Sequence, residues 1–436
     1  MSSSLSDRDQ QVIWHPYTQH KNMLPPIPIT KGEGTLLFDE NNNSYIDAIS
    51  SWWVNVHGHA HPYIAQKIYE QAKKLEHVIF TGFTHEPAVS LAERLLKILP
   101  GNFSRIFYSD NGSTAVEVAI KMAIQFWSQQ ADAGDQKSAN DNHHVKYRHR
   151  ILAFRNSYHG DTFGAMSVSE RGVFTLPFHD HLFEVIFIDT PTKANFGHIK
   201  SVIDLYANEI ACFIYEPLLQ AAGGMLMHEA EMLDELLTEI KSKNIICIAD
   251  EVMTGFYRTG KFFASEYLQN KADIICLSKG LTGGTMALGV TAASQKIFDA
   301  FLSDDRTKTF FHGHSFTANP IACASALASL DLIEKEDCVL RINNMVKKNK
   351  EFIAGFAIHH SPSNIKNHRQ LGTIIAFEII SGNDSYLNNI SATITKQAMQ
   401  NGIYIRPLGN TVYIMPPYCI TDEQLNKLYD FLMAIG

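Results

Sequence analysis

The chain reads as an α/β protein, with a large domain on a mostly parallel sheet flanked by helices and a smaller α+β domain after it. Three observations predict this. Short, near-continuous apolar runs recur through the middle of the chain, as strands buried on both faces require. Helix-period stretches lie between several of these runs, the alternation that builds an open parallel sheet. After about residue 330 the texture changes to a long polar helix and a few strand-like pieces. The expected division is an N-terminal segment, 1–60, packing with the small domain; a large domain, 61–329; and a small C-terminal α+β domain, 330–436. A length of 436 residues suits two or three such lobes.

Taken in order, TLLFDENNNSYIDAIS reads as a hairpin around an Asn-rich turn. SWWVNVHGHAHP (51–62) follows, with His57, His59 and His61 at alternate positions. Alternate histidines can face one way on a strand, but Gly58 and Pro62 break any extended run. No Cys or carboxylate ligand stands close in sequence, so these histidines are expected to shape a turn into the next helix and to hold no metal. The predicted strands are RIFYS (105–109), RILAFR (150–155), EVIFID (184–189), ACFIYEP (211–217), IICIADEV (245–252), DIICLSKG (273–280) and LGVTAAS (288–294). STAVEVAIKMAIQFW, apolar at 116, 119, 120 and 123, and EAEMLDELLTEIKSKN read as helices between them. The polar stretch 128–150 reads as an exposed excursion, with His143 and His144 as solvated loop residues. DLIEKEDCVLRINNMVKKNKEFIAGF reads as one long helix and TIIAFEII as a strand.

Composition narrows the function classes. Hydrophobic residues make up 45% and charged residues 19%, an ordinary balance for a globular enzyme. The net charge of −8 argues against a polyanion binder, and so against nucleic acid. Six scattered cysteines without a CxxC pair read as reduced thiols in a cytoplasmic setting. The N-terminus lacks a signal-peptide pattern, and no apolar run is long enough to cross a bilayer.

Ligands of open α/β sheets collect beyond the carboxyl ends of the strands, so the polar residues ending the apolar runs are the ones to examine. IICIAD ends in Asp250, DIICLSK in Lys279, RIFYSDNGS in Gly112–Ser113, and RILAFRNSYHG in Tyr158, His159 and Gly160. A lysine there is desolvated and suited to forming a Schiff base. An aspartate can hold a proton on a pyridine nitrogen. A Gly-Ser step opening a helix offers backbone N–H groups and a hydroxyl to a phosphate. A tyrosine can stack on an aromatic ring. Each has an ordinary alternative when alone: a solvated strand end, a helix cap or core packing. Together they describe one cofactor, pyridoxal 5′-phosphate.

CIADEVMTGFYRTGKFFASE followed by ICLSKGLTGG resembles the class III (ω-type) aminotransferases of the type I pyridoxal-phosphate transferase fold. IWHPYTQH, SSWWVNVHGHAHP, YHGDTFGAMSV, EPLLQAAGGM, HGHSFTANP and RPLGNTVYIMPPY extend the resemblance from Trp14 to about Tyr418. These last motifs are similar to those of the branch that aminates 8-amino-7-oxononanoate with S-adenosylmethionine in biotin synthesis. What the resemblance implies is a homodimer with its active site at the subunit interface, carrying Lys279 as the Schiff-base and proton-shuttling lysine. It implies Asp250 on the pyridine nitrogen, Val252 beneath the ring, Gly112 and Ser113 on the phosphate, and Tyr158 stacked on the cofactor. His314 and Ser315 would complete the phosphate site of the neighbouring subunit, although the family usually has Pro-Thr there. Gly313, Tyr17, Trp52 and Arg406 would meet substrate, Arg406 pairing with a carboxylate, while Arg258 and Tyr413 support the site. Trp53 should point away from Trp52 and pack. Ala221 stands where glycine is usual. The alternative within the family is an enzyme acting on diamines, ornithine or ω-amino acids with a keto-acid acceptor. Outside it, a metal hydrolase built on the histidines and an inactive binding protein compete.

Overall fold

The computed structural model describes residues 4–134, 148–359, 364–380 and 390–435. His143 and His144 lie outside the described residues, as does most of the polar excursion that contains them.

Seven strands form the central sheet: β1 (Phe103–Ser109), β2 (Arg150–Phe154), β3 (Val185–Ile188), β4 (Ile210–Tyr215), β5 (Ile246–Asp250), β6 (Ile274–Leu277) and β7 (Gly289–Ser294). Their order is β1-β7-β6-β5-β4-β2-β3. Strands β3, β2, β4, β5 and β6 pair in parallel, while β7 runs antiparallel between β6 and β1. Every residue of β4, β5 and β6 is buried, which is why these runs are apolar without alternation. The two-residue period survives in where the side chains go. Leu152, Phe213, Cys247, Ala249, Ile275 and Leu277 enter one core; Ile151, Cys212, Ile246, Ile248, Ile274 and Cys276 enter the other. Helix α1 (Gly112–Gly134) covers the second face through Val116, Ala119, Ile120 and Ala123. Helix α2 (Ala230–Ser242) covers the first through Leu233, Leu236, Leu237 and Ile240. Each large aliphatic side chain so buried contributes roughly 1.5–3 kcal/mol.

The N-terminal hairpin forms as its Asn-rich turn predicts: Leu36–Asp39 pairs antiparallel with Ser44–Asp47. The Asp39 carboxylate accepts the Asn41 and Asn43 amides and the Tyr45 hydroxyl, fixing the turn. Ser44–Asp47 then pairs in parallel with Ile403–Tyr404, joining the start of the chain to its end. A separate antiparallel sheet holds Ile365–Leu371, Ile374–Ile379 and Thr411–Ile414. The long polar helix differs from expectation. Its first turn belongs to helix α3 (Pro320–Ile333), capped by Asn319, and a new helix α4 (Glu336–His359) begins after two intervening residues. Glu336 and Asp337 lie in the first turn of α4, where carboxylates stabilise a fresh N-terminus.

Candidate active site

Each of the four strand ends delivers its polar residue to one pocket of about 450 Å³, lined by Gly112, Ser113, Tyr158, Asp250, Val252 and Lys279 among others. Asp250 is the last residue of β5, and Lys279 lies two residues beyond the end of β6. The Lys279 backbone is left-handed, with φ of 46°. Such a conformation costs a non-glycine residue about 1–3 kcal/mol and marks a position held by its surroundings.

Burial drives the Lys279 ammonium down to about 8, while the carboxylates of Asp250 and Glu216 pull it partly back. Its Nζ lies 4.6 Å from the centre of the Trp53 ring. The Asp250 carboxylate takes the His159 Nδ1 at 2.7 Å through one oxygen and the Val252 amide at 3.0 Å through the other. Glu216 accepts the amides of Tyr158 and Ala221 at 3.1 and 3.2 Å. Burial raises its carboxyl to about 7, opposed by neighbouring His159 and reinforced by Asp250. Burial also pushes the Tyr158 hydroxyl upward, aided by its contact with Tyr17.

The pocket fits a phosphorylated aromatic cofactor. Gly112 opens the 23-residue helix α1, so its N–H and that of Ser113 have no acceptor within the helix. A Cβ on Gly112 would come within 2.6 Å of Val252 Cγ1, so only glycine keeps this cradle clear. Gly160 has φ of 134°, and a Cβ there would meet Ser113 Oγ at 2.2 Å. Among the described residues the buried His159 Nε2 has no hydrogen-bond partner. Lys279 supplies the amine for an aldehyde, Asp250 retains lone pairs for a ring N–H, and α1 offers its N-terminus to a phosphate.

A second group of side chains stands beside this pocket. The Tyr17 hydroxyl donates to Asp161 and lies 3.2 Å from that of Tyr158. Its ring sits 5.5 Å from that of Trp52, and the Arg406 guanidinium covers Trp52 at 4.8 Å. Trp52, Trp53, Arg406 and Tyr413 line an adjoining apolar pocket of about 540 Å³. The two tryptophans do point differently: Trp52 is 44% exposed and Trp53 4%. Trp53 lines both pockets and donates from Nε1 to the Tyr413 hydroxyl at 2.9 Å. Arg258 is fully buried and supports the turn from behind, donating to the Trp53 and Pro416 carbonyls at 3.2 and 3.3 Å. Gly313, His314 and Ser315 do not line the Lys279 pocket of their own chain; Gly313 and Ser315 are exposed and His314 is half-buried.

The three opening histidines take three different partners. His57 is buried against Ser329, its imidazole driven down to about 3 chiefly by burial. His61 caps helix Pro62–Lys74. His59 pairs with Asp47 at 2.9 Å, a carboxylate twelve residues earlier that sequence proximity did not reveal. Among the described residues no group of three or more His, Cys, Asp or Glu side chains is placed to hold a metal ion. Glu216, Asp161 and Asp47 are the site residues that motif reading passed over. The strand-end reading includes His159 but assigns it no role; its Nδ1 lies 2.7 Å from an Asp250 oxygen.

The model of the family described as Aminotransferase class-III matches residues 17–435, and the chain belongs to that family, whose members work with pyridoxal 5′-phosphate. Adenosylmethionine-8-amino-7-oxononanoate aminotransferase from Synechococcus elongatus is 42% identical over 427 residues, covering 96% of this chain and 96% of the relative. The protein of the same name from Geobacter sulfurreducens is 37% identical, covering 99% of this chain and 97% of that one. The crystal structure of the enzyme so named from Methanocaldococcus jannaschii superposes with a TM-score of 0.90 at 32% identity, covering 99% of this chain and 98% of the other. A PLP-bound amine transaminase from an uncultivated Pseudomonas species gives a TM-score of 0.87 at 28% identity, covering 97% and 98%.

Proposed function

We propose that the chain transfers the amino group of S-adenosylmethionine to 8-amino-7-oxononanoate, giving 7,8-diaminononanoate for biotin synthesis, in two half-reactions at one site. The observation that carries this reading is the joining of a Lys279–Asp250 pocket to a Tyr17–Trp52–Arg406 cluster. The relatives named for this reaction support it at nearly full length. When bound, pyridoxal 5′-phosphate carries the amino group between substrates and accepts the electron pair left when the donor carbon loses its proton.

The chain's own residues do the rest. Lys279 would hold the cofactor through its amine, and its Nζ, near 8, is suited both to taking up and to giving back a proton at the donor carbon. Asp250 would keep a proton on the pyridine nitrogen, and the His159 contact holds the carboxylate in place. Gly112 and Ser113 would receive the phosphate, while Val252 and Tyr158 would lie against the ring. Tyr17 and Trp52 exclude water along the aliphatic chain of the acceptor, and Arg406 takes its carboxylate. Gly313, His314 and Ser315 serve the site of a second copy in a homodimer, in keeping with their absence from the lining of the Lys279 pocket of their own chain. The same reading divides the chain into segment 1–60, large domain 61–329 and small domain 330–436, and places the enzyme in the cytoplasm.

The test is to incubate the purified protein with both substrates and follow 7,8-diaminononanoate by mass spectrometry. Turnover of diamines with pyruvate or 2-oxoglutarate, with none from the named pair, would instead establish the diamine reading. Lys279→Ala is expected to abolish the borohydride-reducible link to the cofactor.

A further inference from the structure

The two tryptophans sit on a backbone that resists its own conformation. Ser50, Ser51 and Trp53 have φ of 52°, 58° and 68°, three left-handed residues in four, none of them glycine. A turn of this kind persists only where other groups determine it. Here Arg258 on the Trp53 carbonyl and the Ser50 hydroxyl on the Met415 carbonyl contribute, and one buried carboxylate makes the largest set of contacts. Asp47, with no exposed side-chain surface, accepts the Ile49 amide at 3.2 Å through Oδ1. Through Oδ2 it accepts the Ser51 amide at 2.5 Å and the Ser51 hydroxyl at 3.0 Å. His59 donates from Nε2 to the same Oδ2 at 2.9 Å. The turn sends Trp52 outward, beneath Arg406 and beside Tyr17, and Trp53 inward, beneath the Lys279 amine.

We propose that Asp47 and His59 are positioning residues for the transamination, setting through this strained turn the direction of both tryptophans at once. Trp52 then shapes the substrate end and Trp53 the Lys279 end of one site. Neither Asp47 nor His59 touches a reacting atom. The inference rests on the reading of Lys279 and Arg406 given above.

The experiment compares wild-type holoenzyme with Asp47→Ala, Asp47→Asn and His59→Gln, each normalised to borohydride-trapped cofactor. Asp47→Ala is expected to raise the KM for 8-amino-7-oxononanoate about tenfold and to lower kcat, and Asp47→Asn, which keeps an acceptor oxygen, to recover most of both. Equal loss in the two Asp47 variants, or none in either once normalised, would overturn the proposal. A second readout needs no substrate. Apoenzyme carrying 5-fluorotryptophan at its four tryptophans is observed by fluorine NMR, with the Trp53 signal assigned by its disappearance in Trp53→Phe. The Trp53 signal is expected to move in Lys279→Ala and in Asp47→Ala; an unmoved signal in Asp47→Ala refutes the positioning role. If wild type leaves the substrate pair unconverted, the proposed reaction fails, and the NMR result still decides this inference.

Discussion

Replacing Asp250 by asparagine should change the titration of Lys279, and the structure gives the sign. Burial takes Lys279 from 10.5 to about 8, a gap of about 3 kcal/mol favouring the neutral amine. At pH 7 about one Lys279 in ten is then unprotonated, against about one in three thousand for an ordinary lysine, a ~300-fold difference. Asp250 opposes burial by stabilising the ammonium, so Asp250→Asn should move the midpoint below 8. The assay is the pH-dependent rate at which an acylating reagent labels Lys279 in the apoenzyme, read by peptide mapping. The fold's stability follows the same titration. Between about pH 8 and 10.5 the unfolded chain binds the proton that the folded chain has lost, so stability rises with pH across that window. Lys279→Met should remove this rise. A labelling midpoint near 10.5, or one that moves upward in Asp250→Asn, would refute the reasoning.

Gly112→Ala places a methyl against Val252 and should weaken cofactor retention about tenfold in a fluorescence titration of the apoenzyme. Arg406→Lys keeps the charge but loses the planar fork, so the KM for 8-amino-7-oxononanoate should rise about tenfold with the cofactor absorbance unchanged. Glu216 is raised to about 7 by burial, so the folded chain holds its proton where the unfolded chain has released it. Stability should therefore fall as pH rises from about 4.5 to 7, and Glu216→Gln should flatten that fall in urea titrations of the apoenzyme.

The large sheet was legible in the sequence because strands buried on both faces leave no choice but apolar runs. Asp250, Lys279, Gly112 and Tyr158 were legible because such strands have one functional end. The antiparallel course of β7 was not, since LGVTAAS is equally apolar in either direction. Nor did composition mark the break between α3 and α4, because Glu334 and Lys335 are good helix formers. Asp47 and Glu216 escaped because their role lies in accepting backbone amides from turns whose shape no local pattern announces. The histidines drew attention by spacing alone; His59 connects to the site through Asp47, and His57 through Ser329, whose hydroxyl donates to the Gly280 carbonyl beside Lys279.

The placement of the two tryptophans explains how a general amine-transfer pocket acquires a particular substrate. The Lys279 pocket is furnished largely by the ends of the central sheet, whose geometry is fixed by two cores. Tyr17 and Trp52 come from the N-terminal segment, and Arg406 from the segment between the last two sheets' strands, Ile403–Tyr404 and Thr411–Ile414. These two regions meet through the pairing of Ser44–Asp47 with Ile403–Tyr404, and Asp47 is both the last residue of that strand and the holder of the tryptophan turn. A change in this pairing would therefore shift Arg406 and Trp52 together, while leaving Lys279 and Asp250 on their own strand ends. Substrate choice can vary on such a frame without disturbing the proton chemistry beneath it.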